Sequence, residues 1–253
     1  MTARVIAVAN QKGGVAKTTT VASLGAALAE RGRRVLLVDL DPQACLTFAL
    51  GVDPEDLGAS VHQVLLGERP AAEVIMHTED GTDLLPATIE LATAEQVLIT
   101  RTGRERLLKL ALAPVLRRYD DVLLDCPPSL GVLTTVALTA AHQVLIPLQC
   151  ETLSHRGVGQ LLDTVHDVRT VTNRRLRVLG VLPTLFDSRT THSRLVLERI
   201  GDDYGVPVLE PPIPKTVRFA EAPATGRSIL ATAGRNRGAQ AYRELAGRLL
   251  EPA

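Results

Sequence analysis

The sequence predicts an α/β fold, a single doubly wound, mostly parallel β-sheet flanked by helices, on three observations. Aliphatic runs at Val5–Ala9, Val35–Val38, Val122–Leu124, Val144–Ile146 and Val178–Leu182 alternate with stretches of helical periodicity, the order that yields right-handed strand–helix–strand units. Hydrophobic residues make up 45% of the chain and aromatic ones only 2%, so the core is aliphatic, as strands buried on both faces require. The 253 residues fit one domain, and no linker, internal repeat or low-complexity segment divides 1–253.

The first strand breaks into Asn10-Gln11-Lys12-Gly13-Gly14-Val15-Ala16-Lys17-Thr18-Thr19-Thr20. A β-branched strand that meets paired glycines, a lysine and threonines at a helix start is chemistry for a polyphosphate. Successive N–H groups from Gly13 through Gly14, Val15, Ala16, Lys17, Thr18 and Thr19 turn inward as an anion cradle, with Lys17 reaching the β- and γ-phosphates and Thr18 Oγ1 on a bridging Mg²⁺. Lys12, just before the glycines, is an extra charge that a phosphate cradle alone does not explain.

Thr18 to Arg31 reads as a helix with Val21, Leu24, Gly25 and Leu28 at helical spacing and Gly32 as its stop. The second strand ends at Asp39-Leu40-Asp41-Pro42-Gln43. Carboxylates at the C-terminal end of a parallel strand lie where open α/β sheets gather ligands; if this strand neighbours the first, one serves a metal shell and one an attacking water, and as a plain turn they would cap a helix beginning near Pro42. Between Gly51 and Ile89 a short helix over His62–Leu66 and a short strand over Asp83–Pro86 lie among acidic loops. Helices from about Glu90 to Leu98 and from Arg104 to Arg117 precede Val122-Leu123-Leu124-Asp125, a strand whose terminal carboxylate has the Walker B pattern and runs into Cys126-Pro127-Pro128-Ser129.

Leu130 to Ala140 reads as helix, Val144–Pro147 as strand, Val158 to Val168 as the apolar face of a long helix and Val178–Leu182 as strand. After the polar loop Thr184–Thr191 come a helix carrying Leu195, Val196 and Ile200, and the proline-stiffened loop Glu210–Arg218, which puts Pro214 on the ligand-bearing edge. The last helix packs Ala239, Tyr242, Leu245, Ala246 and Leu249.

A net charge of zero argues against coating nucleic acid through bulk charge, yet its distribution is uneven. Arg69 is the one Lys or Arg between Gly51 and Thr100, whereas the chain from Lys215 onward is rich in arginine, which predicts an electrically two-sided molecule. Cys45, Cys126 and Cys150 are far apart and form no Cys-x-x-Cys pair, so neither a disulfide framework nor a zinc site is expected. The start runs straight into a strand and no apolar stretch nears ~18 residues, which makes a cytoplasmic protein the expectation.

Lys-Gly-Gly-x-x-Lys-Thr-Thr at Lys12–Thr19, Val-Asp-Leu-Asp-Pro-Gln at Val38–Gln43, Asp-Cys-Pro-Pro-Ser at Asp125–Ser129 and Val-Arg-Phe-Ala-Glu-Ala-Pro at Val217–Pro223 together resemble the ParA family over nearly the whole chain. These are deviant-Walker-A ATPases of chromosome and plasmid partition, and the first motif is shared with MinD and nitrogenase iron protein. The resemblance implies a P-loop fold, ATP and Mg²⁺ as cofactors, and a homodimer that forms on ATP binding. Lys12 then matches the signature lysine that crosses to the partner's phosphates, Asp41 the carboxylate that positions the hydrolytic water, Asp39 its neighbour near the metal and Asp125 the Walker B acid. Pro214 counts with the nucleotide contacts.

The resemblance further implies non-specific DNA binding by the ATP-bound dimer, association with the nucleoid in that state, slow hydrolysis stimulated by a ParB-type activator, and no stable membrane association. Arg189 and Arg218 stand at the family's DNA-binding positions, with Lys215, Arg227, Arg235 and Arg237 as neighbours. Two positions depart from the pattern. Ala16 replaces the usual glycine before the loop lysine, and Ala44-Cys45 replaces Gly-Asn after Asp-Pro-Gln. If residue 16 needs φ > 0, its Cβ costs on the order of 1 kcal/mol or more. Competing readings are a MinD-like membrane-cycling or cargo-positioning ATPase and a redox ATPase with an iron–sulfur cluster between subunits, the latter needing two suitably placed thiolates per chain.

Overall fold

Successive residues of the central strands enter opposite apolar layers, which is what makes the sheet doubly covered. In the computed structural model, which describes residues 3–150, 154–187 and 191–251, the strands are Arg4–Val8 (β1), Val35–Asp39 (β2), Met76–His77 (β3), Asp83–Leu85 (β4), Asp121–Asp125 (β5), Gln143–Gln149 (β6) and Arg177–Thr184 (β7). They form one sheet in the order β3-β4-β2-β5-β1-β6-β7, parallel except for β3 against β4. Ile6, Val8, Leu37, Leu123 and Leu145 face one layer, and Val5, Ala7, Leu36, Val38, Val122 and Leu124 face the other.

The helices are Lys17–Ala29 (α1), Cys45–Ala49 (α2), Val61–Leu66 (α3), Ala71–Val74 (α4), Leu91–Thr100 (α5), Leu107–Leu112 (α6), Val132–Ala140 (α7), Ser154–Val171 (α8), Thr191–Tyr204 (α9), Arg218–Glu221 (α10), Ile229–Thr232 (α11) and Arg237–Arg248 (α12). α1, α11 and α12 cover the first face; α3, α5, α6 and α7 pack on the second together with α8 and α9. No helix among the described residues is long and apolar enough to cross a membrane.

The register sets the site. Val8 lies level with Asp125 across β1 and β5, and Asp39 lies level with Asp125 across β2 and β5, so three strand ends deliver their following residues to one place. At the opposite end of the same strands the buried Asp121 carboxylate accepts from Arg4 Nε at 2.7 Å and Arg33 Nε at 2.8 Å, which ties β1 and the turn before β2 to β5.

The predicted strand and helix order holds, with local differences that include the unexpected short helices α4, α10 and α11. The helix expected from Arg104 to Arg117 is a 3₁₀ turn over Arg104–Arg106, then α6, then a second 3₁₀ turn over Leu116–Arg118. Pro114 is the reason: it lacks an N–H and its ring excludes the carbonyl four residues earlier. The two-residue edge strand β3 went unnoticed, being too short to show a period. The helix after Pro42 begins only at Cys45, beyond a left-handed Ala44.

The acidic stretch and the basic C-terminal stretch meet at one place. Asp80, from the acidic stretch, accepts from Arg227 Nε at 3.2 Å and from Ser228 N at 2.6 Å, and Glu79 Oε2 lies 3.7 Å from the same guanidinium. Beside this staple Gly226, at φ 69°, passes so near Gly51 that a Cβ on Gly226 would fall 2.6 Å from Gly51 Cα.

Candidate active site

The glycine loop is fixed from three sides. Asn10, only 2% exposed, donates from Nδ2 to Pro147 O of β6 at 2.7 Å and accepts from Lys12 N at 3.0 Å. Thr184 Oγ1, at the end of β7, donates to Val15 O at 2.9 Å. Gly13 and Gly14 are exposed at the tip while the Lys17 side chain is buried beneath the loop, its ammonium donating to Lys12 O at 3.1 Å. Burial lowers the Lys17 pKa and the nearby Asp125 opposes that shift. Thr18 and Thr19 lie half-buried on the first turn of α1, where unpaired N–H groups and the helix dipole favour an anion.

The loop carries backbone strain at the position the sequence singled out. Ala16 has φ 65° and ψ 36°, and Ala44 has φ 51° and ψ 33°; each immediately precedes a helix. Left-handed backbone costs a residue with a Cβ ~1–2 kcal/mol, so both departures from glycine fall where glycine would be unstrained.

The acids divide their work by environment. Asp39 is buried, with one oxygen accepting from Thr47 N at 2.9 Å and Thr47 Oγ1 at 2.7 Å and the other from Asp41 N at 3.1 Å. Burial outweighs these bonds and pushes its pKa up to about 6. Asp125 is equally buried, but neither of its oxygens has a partner in hydrogen-bonding geometry. Burial and then the facing Asp39 raise its pKa well above the ordinary value, against the pull of the Thr18 hydroxyl and the Lys17 ammonium. Asp41 is half-buried and accepts from Gln43 N at 3.0 Å, which leaves it at the mouth of the site.

The donor set fits a hard divalent cation. Thr18 and Asp125 would supply oxygen ligands, Asp39 is already held by Thr47, and the oxygens of Asp125, which have no partner in hydrogen-bonding geometry among the described residues, are those a cation would satisfy. Thr47 and Asn10 were missed in the sequence. Thr47 lies eight residues from the carboxylate it clamps, with its Oγ1 also accepting from Ala87 N at 2.9 Å, and such a pairing leaves no local pattern.

The other site residues lie apart from this cluster. Pro214 bridges to Phe186, two residues past the end of β7, so its loop does share the edge from which Thr184 holds Val15. Lys215 and Arg218 are exposed, Arg218 with Glu221 at 2.6 Å, a surface pair that water screens. Arg227 is held by Asp80, and Arg235 and Arg237 are exposed. Arg189 lies outside the described residues. Cys126 and Cys150 are buried and burial raises both thiols, Cys150 to about 11, which works against thiolate ligation of iron; Cys45 is exposed.

Residues 3–178 match the family model described as AAA domain. The chain is 44% identical over 244 residues to the sporulation initiation inhibitor protein Soj of Bacillus subtilis, covering 96% of each, and 40% identical over 249 residues to the chromosome partitioning protein ParA of Myxococcus xanthus, covering 98% of this chain and 88% of that one. A Mycobacterium smegmatis structure named cobyrinic acid a,c-diamide synthase, with an ATP analogue and magnesium bound, superposes with a TM-score of 0.88 at 59% identity, covering 98% of this chain and 94% of that one.

Two outcomes follow from the strain and the buried acids. Ala16→Gly should raise apo stability by up to ~1.5 kcal/mol in urea denaturation, the relieved strain of ~1–2 kcal/mol being offset by ~0.4–1 kcal/mol of unfolded-chain entropy. A lower midpoint would show that the left-handed alanine is not strained.

Raised carboxyl pKa values mean that the folded protein holds more protons than the unfolded chain, so metal-free stability falls as pH rises from the ordinary 3.8 through about 6. Asp125→Asn removes one buried charge. In EDTA at pH 8 its Tm should exceed that of the native chain, by about 2–4 °C for each kcal/mol relieved, and the gap should close toward pH 4. A lower Tm at pH 8 would contradict this electrostatic account.

Proposed function

The chain belongs to the ParA family of ATPases, and from that premise we propose that it is an ATP-driven switch that dimerises on ATP, binds DNA without regard to sequence and lets go on hydrolysis, in the service of chromosome or plasmid partition. The coarser statement, a positioning ATPase, follows from likeness to Soj and ParA along nearly the whole chain. The observation that carries the chemistry is the buried Asp125 carboxylate beside the Lys12–Thr19 loop, whose oxygens have no partner in hydrogen-bonding geometry among the described residues.

Each residue then has one task. The N–H groups of Gly13 to Thr19 bind the phosphate oxygens, Lys17 places its charge against the β- and γ-phosphates, and Thr18 with Asp125 holds Mg²⁺, with Asp39 in support. Mg²⁺ held there would neutralise phosphate charge. Asp41, at the mouth, orients the attacking water and accepts its proton. Lys12 serves the partner subunit's phosphates and does the work of an arginine finger. Pro214 closes over the nucleoside, and Lys215, Arg218, Arg189 and Arg227 meet DNA phosphates; Arg227 first has to leave Asp80. A ParB-type protein accelerates an otherwise slow turnover. The apolar face of α12 is spent against α1, which favours this reading over a membrane-binding tail.

The name of the Mycobacterium smegmatis relative gives a second reading, ATP-driven amidation of a carboxylate. Turnover that rises with cobyrinic acid and ammonium but ignores DNA would favour it.

The deciding experiment measures affinity for a random-sequence duplex with ATP, with ADP and without nucleotide across a salt series. Tight binding with ATP alone, weakening steeply with salt, is expected, and Arg218→Glu should abolish it while ATP affinity persists. Equal binding in all three states would remove the switch from the proposal. Asp41→Ala should keep ATP, lose hydrolysis by ~100-fold or more and accumulate dimer in sedimentation; unchanged turnover would reassign the water-positioning role.

A further inference from the structure

The nucleotide chemistry makes no use of Tyr242, which heads the largest fully buried side chains of the described residues. Its hydroxyl shares a hydrogen bond of 2.9 Å with Thr20 Oγ1, on the first turn of α1 and two residues past Thr18. Its ring receives Phe219 of α10 edge-on, with centroids 5.9 Å apart and planes at 84°. Phe219 also lies tight over α12, where a Cβ on Gly238 would stand 2.6 Å from Phe219 Cζ. The residue before Phe219 is Arg218.

α12 is thus a strut. One side is fastened to α1 by Tyr242 and by the Arg243–Glu30 ion pair at 2.6 and 2.8 Å, and its start seats α10 through Phe219. Across the same gap Thr18 and Thr19 face Phe219 and Ala222 over a cavity of about 370 Å³, also walled by Phe48 of α2. The packed route from the first turn of α1 to α10 therefore runs through Tyr242 and around the void.

We propose that Tyr242 is a positioning residue that couples the nucleotide loop to the basic α10 surface, so that filling the phosphate site sets the placement of Arg218. This rests on the reading above, in which Arg218 meets DNA. A buried hydroxyl pair is directional, so a small turn of α1 on closing over phosphates is passed to the tyrosine as a change of position. The edge-on ring contact hands it to Phe219, and the cavity leaves α10 room to respond.

The test compares native protein with Tyr242→Phe, which keeps the ring and deletes only the hydroxyl, and with Thr20→Val, which deletes the other partner. Arg243→Gln, which loosens α12 at Glu30 and at Gly234 O but leaves the Thr20–Tyr242 bond and the Phe219 ring contact in place, is the control for plain destabilisation. For each, the ratio of affinities for a random-sequence duplex with ATP and with ADP is measured beside Tm and ATP affinity. Both relay variants should lower the ratio by at least ~fivefold with ATP affinity unchanged, and the control should keep the native ratio. A native ratio in either relay variant, or an equal loss in Arg243→Gln, overturns the coupling role alone. A native protein whose DNA affinity ignores nucleotide overturns the functional reading and the relay with it. A relay variant that fails to fold leaves the other to decide, since either hydroxyl breaks the same bond.

Discussion

The site is organised by a charge that the protein does not balance by itself. Asp39 and Asp125 face each other at the ends of adjacent parallel strands, both out of water; Asp39 is held by three hydrogen bonds, whereas Asp125 has only the nearby Thr18 hydroxyl and Lys17 ammonium, neither in hydrogen-bonding geometry. Two like carboxylates in such a place hold their protons above the ordinary range until a cation arrives. A divalent metal bound there, as proposed, would relieve a cost already present in the fold, which would link occupation of the site to its stability. The Arg4–Asp121–Arg33 cluster at the other end of β5 is the counter-example, a buried carboxylate fully matched by its own chain.

Around this pair the backbone is held rather than loose. Asn10 and Thr184 tie the glycine loop to β6 and β7, and Thr47 ties α2 to Asp39. The left-handed Ala16 and Ala44 stand between these anchors, where loop becomes helix. Strain there persists because the neighbouring bonds over-determine it, and it is a store that a ligand-driven rearrangement can draw on.

The C-terminal segment does two jobs that its charge alone does not separate. Its apolar residues, Tyr242, Leu245 and Ala246 among them, complete the layer over α1, while Lys215, Arg218, Arg235 and Arg237 remain in solvent. Arg227 differs from these, since it closes a staple to Asp80. An arginine that counts toward a basic surface in sequence can thus be spent on the fold.

By itself the sequence determined the class of fold, because aliphatic strands and amphipathic helices announce themselves through local period, and it determined the loop and the three strand-end acids, because their chemistry is written in contiguous motifs. It also marked Ala16 through one absent glycine. What only the tertiary structure decided is long-range: that β5 lies between β1 and β2 and so brings Asp125 level with both Val8 and Asp39, that Thr47 serves Asp39, that Asp80 takes Arg227, and that Tyr242 meets Thr20 from 222 residues away. These pairings come from strand order and packing, which no window of neighbouring residues encodes. The break at Pro114 was legible by rule, yet the apolar period running through it concealed it.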